Sequence, residues 1–328
     1  MAINDIPLVI FTLLCQMSVG AFIVLGILHV VVARRGEGER LRKLADPALY
    51  AIGPVMVIAL VVSLAHLGDP LHAIFTLENF GRSWLSREIV FGVAFCVLSI
   101  VFSVGHAKNW LSPAWRELAA AVTALFGLAL IFVQGMIYET VPTIPGWHTW
   151  ATTVGFFVTT FLLGSLGVAL AFVVVTTLPR LRERHGGDTR ALELESLWWI
   201  SLASMALLGV EFVVVPTFAL QLAQGGPAGV QSAHLWLYGG GSVFVVEMAL
   251  AFLGAGLIGF FFYWLSSRGA RRAALTSLGG GVEVAQSVIS ERAVAYAVGA
   301  AFVLVGASEV LSRLLFYTSY ARIGFGGF

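Results

Sequence analysis

The sequence predicts an all-α integral membrane protein of eight transmembrane helices, with both termini on the outer side of the membrane. Three observations carry that expectation. The chain is 59% hydrophobic and 11% charged, whereas a water-soluble domain carries roughly 25% charged residues. Eight apolar runs, at 8–32, 48–67, 88–105, 118–138, 151–177, 197–222, 237–265 and 292–316, approach or exceed the roughly 20 residues that a helix needs to cross a bilayer. The basic residues, finally, are concentrated in alternate connections.

Helices are the expected spanning form, because each satisfies its own backbone hydrogen bonds inside lipid. The runs are too long and too uniformly apolar for the alternating strands of a barrel. The first run follows MAINDIP with no basic region and no small-residue cleavage site, so it is read as a retained span and not a cleaved signal. The connections after spans one, three, five and seven hold Arg34, Arg35, Arg40, Arg42, Lys43; Lys108, Arg116; Arg180, Arg182, Arg184, Arg190; and Arg268, Arg271, Arg272, Arg292. Only Arg82, Arg87, Arg313 and Arg322 lie toward the other side. Short loops rich in Lys and Arg stay cytoplasmic, which places the remaining loops and both termini outside.

A basic loop recurs in both halves, VVVARRGEGER after span one and VVVTTLPRLRER after span five. The expected organisation is one membrane domain over 1–328 built from two four-helix units, 1–150 and 151–328. Net charge is +1, so nothing points to nucleic acid as a partner. Cys15 and Cys96 each sit inside an apolar run; iron–sulfur and zinc sites need several ligands at short spacing. The pair is therefore read as buried hydrophobes, with no metal site in this chain.

The stretch SLAHLGDPLHAIFTLENFGRSWLSREI (63–89) crowds His66, Asp69, His72, Glu78, Arg82, Arg87 and Glu88 between two apolar runs. His66 closes span two, and a Gly-Asp-Pro turn stops the helix after it. Histidine titrates near neutral pH, so it can take a proton from a phenolic hydroxyl and pass it to a carboxylate such as Asp69. Ser86 is the expected N-cap of span three, and Glu88 sits favourably in that helix's first turn. Ionisable groups within spans are costly and face protein or a wet cavity; besides His66 and Glu88 they are Glu139, Glu211, Glu247, Glu309 and Arg313. All fall toward the outer half. Glu309 and Arg313 have the spacing of a helical ion pair. Glu211 and Glu247 are lone carboxylates, read as interhelical hydrogen-bonding groups or, with Glu309, as a candidate proton path. Trp84, Trp147, Trp150 and Trp236 are expected as interfacial anchors.

Two other classes compete. A bis-histidine haem b would need imidazoles at matched depth, and His29 with His106 is the pair the inner side offers. A secondary transporter would show broken helices and inverted repeats around midplane groups; here the polar groups gather near one face.

Four pieces, PLVIFTLLCQMSVGAFIVL (7–25), SLAHLGDPLHAIFTLENFGRSWLSREI (63–89), YETVPTIPGWHTWATTVGFF (138–157) and SEVLSRLLFY (308–317), resemble the membrane anchor subunits of dimethyl sulfoxide reductase-type molybdenum oxidoreductases, within the wider polysulfide-reductase-like anchors. The resemblance implies a multi-pass subunit of the bacterial or archaeal cytoplasmic membrane with its functional face outward. It implies a chain without haem or iron–sulfur cluster that oxidises menaquinol or another quinol, a quinol dehydrogenase half-reaction. Electrons would pass to a ferredoxin-like subunit holding four [4Fe-4S] clusters and on to a molybdopterin catalytic subunit. On the same resemblance the quinol-site histidine falls on His66, the neighbouring loop on Asp69 to Glu88, and the Arg before Leu-Phe-Tyr on Arg313. Glu139 joins His66, Arg82, Arg87, Glu88 and Arg313 as an expected quinol-binding residue. Ser308 stands where the family more usually has Gly. The same fold running in reverse would reduce quinone for an outer-face dehydrogenase.

Overall fold

The computed structural model describes residues 6–64, 78–183, 189–239, 242–257, 259–264, 291–318 and 321. Among them every regular element is helical, and eight helices are long and apolar enough to cross a membrane: α1 Ile6–Ala33, α2 Gly38–Leu64, α3 Trp84–Ala107, α4 Pro113–Glu139, α5 Trp150–Thr177, α6 Arg190–Gln224, α7 Val243–Trp264 and α8 Glu291–Thr318. The end of the bundle where α1 gives way to α2, α3 to α4 and α5 to α6 carries most of the described Lys and Arg, and is called the basic face below.

Several helices outlast their apolar runs at that face. α2 starts at Gly38, ten residues before the run, because its first turns are amphipathic: Leu41 and Leu44 are buried, Lys43 is exposed, and the half-buried Arg42 donates to the His106 oxygen at 3.3 Å. α6 likewise starts at Arg190, where Glu193 is fully buried against Thr176 (3.0 Å) and Arg190 (2.7 Å).

α1 and α5 are the most buried spans, and they cross at glycine. A Cβ on Gly20 would fall 1.9 Å from the Thr160 carbonyl oxygen, and one on Gly164 2.3 Å from the Gly20 carbonyl carbon. Such close backbone approach is how apolar helices associate in lipid, where burial of apolar surface alone supplies no driving force. α1 also packs on α2 and α4, and α3 on α2 and α4. α5 lies against α1, α2, α4, α6 and α8, while α7 packs on α6 and α8. Where α7 meets α8 it is wound as a π-helical turn over Phe252–Leu257. Ion pairs between sequence-distant segments tie the basic face: Arg35 to Glu195, and Arg182 to Glu291 at 3.1 Å.

The segment 221–236, expected as an outer loop, is largely helical. α6 runs on to Gln224 and a short helix follows over Gly226–His234. Gly225, Gly226 and Gly229 supply the tight junction: Gly226 takes a left-handed φ of +74°, and a Cβ on Gly229 would sit only 2.5 Å from the Leu222 oxygen. Trp236 is therefore no surface anchor. It is 8% exposed and packs edge-on against Phe218 (5.0 Å between centroids) and beside Phe244 (4.8 Å).

Candidate functional site

α3 begins at Trp84, capped by Ser83, whose hydroxyl accepts from the Ser86 backbone N–H at 3.3 Å. The expected cap, Ser86, is inside the helix and buried. The helix starts earlier because Arg87 pins the preceding turn: its Nε donates to the Phe80 oxygen and its Nη2 to the Gly81 oxygen, both at 2.9 Å, and its guanidinium lies 4.2 Å from the centre of the Trp84 ring. Arg87 thus organises the turn, and Arg82 is exposed. Glu88, one residue on, is 8% exposed, lies beside Gln134 of α4 and is within electrostatic reach of Tyr138 and Tyr317. No Lys, Arg or His comes within 4.0 Å of it among the described residues. His66, Asp69 and His72 lie outside the described residues.

An aromatic cluster roofs the interior away from the basic face. Tyr138 of α4 meets Trp147 edge-on (5.2 Å) and Phe316 of α8 edge-on (5.2 Å). The Tyr138 and Tyr317 hydroxyls are 3.1 Å apart, and Trp147 Nε1 donates to the Phe316 oxygen at 3.1 Å. The YETVPTIPGWHTW connection is held in place by this cluster and by Glu139. The Glu139 carboxylate accepts from Thr153, and its carbonyl oxygen is paired with His148 Nδ1.

Beneath that roof a cavity of about 110 Å³ opens between α5, α6 and α8. Its walls are aromatic at Phe156, Phe218, Trp236 and Phe316 and polar at Thr152, Thr159, Glu211, Glu309, Ser312 and Arg313. Arg313 is 5% exposed. Its Nη2 donates to Gln16 Oε1 of α1 at 3.1 Å, its guanidinium carbon is 3.9 Å from the centre of the Phe156 ring, and its Nε has no hydrogen-bond partner. Glu309 does not close the helical ion pair with Arg313 that the spacing predicts. Its Oε2 instead accepts from Thr159 at 2.8 Å, because Arg313 is drawn across to Gln16 and Phe156. Glu247 of α7, 1% exposed, stands next to this group. The Ser308 hydroxyl donates to its carbonyl oxygen at 2.8 Å, which gives the serine at this position a packing role that glycine could not supply.

The expected residues thus divide. Glu211, Glu309 and Arg313 meet at one cavity with Glu247 beside them, Glu88 sits on the α3–α4 side, and Arg82, Arg87 and Glu139 lie near the loops. Gln16, Gln134 and Thr159 join the buried polar set although the sequence reading passed over them. A Gln inside an apolar run (TLLCQMSVG, IFVQGMIY) was the signal available, since an uncharged amide in lipid still needs partners. At the basic face His106 Nε2 is 3.0 Å from Asp46, so that imidazole nitrogen is engaged by a carboxylate. No three His, Cys, Asp or Glu side chains among the described residues are grouped to hold a metal ion.

Comparison with known proteins places the sequence in a family. The sequence is 36% identical over 175 residues to the C chain of anaerobic dimethyl sulfoxide reductase from Escherichia coli (strain K12), covering 52% of this protein and 60% of that one. It is 27% identical over 210 residues to the corresponding C chain from Haemophilus influenzae, covering 63% and 69%. It is also 31% identical over 137 residues to the C subunit of sulfite dehydrogenase from Allochromatium vinosum, covering 37% and 41%. The match therefore spans about three fifths of the Escherichia coli protein's length. The family profile described as "DMSO reductase anchor subunit (DmsC)" matches residues 1–214, which includes α1 to α5, most of α6 and the whole 63–89 stretch, and the chain belongs to the DMSO reductase anchor subunit family.

Proposed function

We propose that the chain oxidises a quinol within the membrane and passes its electrons to an iron–sulfur subunit, which relays them to a molybdopterin catalytic subunit. The observation that carries this reading is Glu88: a buried carboxylate without a cation within 4.0 Å among the described residues, in the family-matched segment, beside Gln134 and within electrostatic reach of Tyr138 and Tyr317. Quinol oxidation releases two protons with two electrons, so it needs acceptors of this kind in a site shielded from bulk water. His66 and Asp69 serve as the first acceptors, with Glu88, from the same 63–89 stretch, as a further carboxylate. Arg82, Arg87, Glu139 and Arg313 orient the headgroup and set the local field. Glu211, Glu247 and Glu309 are further proton-carrying carboxylates. The quinol is menaquinol or another membrane quinol, and the active face is the one opposite the arginine-rich loops.

The reading is tested by quinol-driven reduction of the partner's clusters, followed by electron paramagnetic resonance in the assembled complex. His66→Ala and Glu88→Gln should each slow that reduction by about 10²- to 10⁴-fold, the usual range for loss of an acid–base group. Unchanged rates in both would remove the 63–89 stretch from the chemistry.

A second reading keeps the fold and reverses the current, with quinone reduced by electrons from a dehydrogenase. The similarity to the C subunit of a sulfite dehydrogenase favours it. Potentiometry decides: the complex reduces quinone when the catalytic partner's couple lies below that of the quinone pool, and oxidises quinol when it lies above.

A further inference from the structure

Three side chains of α6 each leave one buried polar atom without a hydrogen-bond partner, at three depths. They are Glu211 Oε2 at the cavity, Ser204 Oγ near the middle and Arg190 Nη2 at the basic face. Buried polar atoms are nearly always satisfied, by protein or by water. Ser204 is 1% exposed and Glu193 is fully buried. With Leu197, Ile200 and Leu208 they form the buried stripe of α6. From Glu193 to Glu211 the helix rises about 27 Å at 1.5 Å per residue, close to the roughly 30 Å of a hydrocarbon core.

Ser204 lines a second cavity. This one holds about 10 Å³, enclosed by α5, α6, α7 and α8, with Ser201, Gly254 and Gly259 in its wall. That is about the space of one water, and the polar side chains in its otherwise apolar lining are Ser204 and Ser201, the latter donating to the Leu197 oxygen at 2.7 Å. Along α6, Leu208 lies between Ser204, which lines the small cavity, and Glu211, which lines the large one. The π-helical turn Phe252–Leu257 lies opposite it, where a Cβ on Gly256 would sit 3.4 Å from Leu208 Cδ2. Single π-helical turns recur at functional positions. The large cavity also reaches Gly146, in the connection before α5, and Thr152, in the first turn of α5, so it extends to the bundle end opposite the basic loops.

We propose that α6 carries a proton path across the second half of the bundle, from Glu211 at the large cavity through Ser204 and Ser201 to Glu193 at the basic face. A carboxyl group gives up its proton to a water. Each serine hydroxyl accepts one proton as it releases its own, and over the remaining distance of about 12 Å along the helix the buried Ser196 and intervening water carry the proton to Glu193, which receives it last. No bond other than O–H is made or broken and no electron moves. Leu208 is the narrow point, and rotation of its side chain against the glycines of α7 opens the file. The path extends the role given to Glu211 above and does not depend on which carrier, if any, the chain oxidises.

The test uses the full-length chain in phosphatidylethanolamine–phosphatidylglycerol vesicles that enclose a pH-sensitive dye, with a potassium diffusion potential set by valinomycin. Wild-type vesicles should acidify faster than empty ones. Ser204→Val should lose on the order of tenfold or more of that excess rate, while Ser204→Thr, of nearly the same shape but keeping the hydroxyl, should retain it; Glu211→Gln should fall with Ser204→Val. Wild-type vesicles no faster than empty ones, or Ser204→Val and Ser204→Thr behaving alike, would overturn the proposal. Quinol-driven cluster reduction in Glu88→Gln is read in a separate experiment, so loss of one reading leaves the other standing.

Discussion

Arg313 of α8 donates to Gln16 of α1 at 3.1 Å, joining residues 297 positions apart in the sequence. The contact brings a charge from the last span to a neutral amide in the first, where both side chains are buried. It makes Gln16 a partner the guanidinium cannot lose cheaply. Gln16→Leu should lower stability by about 1–3 kcal/mol, the cost of leaving a buried donor unpaired. A falling thermal midpoint in detergent checks it. Arg313→Lys should cost as well, because an ammonium cannot reproduce the planar stacking on Phe156.

The α1–α5 crossing sets a steric limit of a different kind. Gly20 has the Thr160 carbonyl oxygen where a Cβ would go, whereas Gly26 on the same helix has nothing within 4 Å. Gly20→Ala should force the two central spans apart and destabilise by about 1–3 kcal/mol or more. Gly26→Ala should be neutral or slightly stabilising through helix propensity. Equal thermal midpoints for the two variants would remove the crossing as the reason for glycine at position 20.

Much of this fold was legible in the sequence. Eight spans follow from hydropathy because lipid leaves runs this long and uniformly apolar no alternative to helix, and the limits are displaced mostly where amphipathic turns such as GERLRKLADP extend beyond the apolar core. The site was legible only as a list. Sequence marks Glu211, Glu309 and Arg313 as expensive in lipid, but their meeting depends on which helices are neighbours, and apolar faces carry no record of that. The same gap explains Glu309 and Arg313. Spacing alone predicts their ion pair, and tertiary partners, Thr159 and Gln16, divide it. Trp236 was misread because a Gly- and Pro-containing stretch before it looked like a loop, while three glycines there permit a tight junction between two helices.

Burial separates two neighbouring acids of α6. Glu193 is fully buried between Arg190 and Thr176, whereas Glu195 pairs with Arg35 on an exposed face. Removing one partner of a buried pair costs about 3–5 kcal/mol, and exposed pairs contribute about 0–1 kcal/mol. Glu193→Ala should therefore be strongly destabilising and Glu195→Ala nearly silent. Chemical denaturation of the two variants, read by intrinsic tryptophan fluorescence, gives the comparison.

The orientation expected of the bundle follows from where its arginines lie. Fifteen of the nineteen Lys and Arg residues belong to alternate connections, and positive loops stay on the cytoplasmic side during insertion. Both native cysteines are buried, so engineered thiols report without background. A membrane-impermeant maleimide added to intact cells should label Thr143→Cys, exposed in the connection between α4 and α5, and leave Arg34→Cys, exposed just past the end of α1, unreacted until the cells are lysed. The reverse pattern would put the aromatic roof and its cavity on the cytoplasmic side, and with it the protons that Glu88 and Glu211 are assigned to handle.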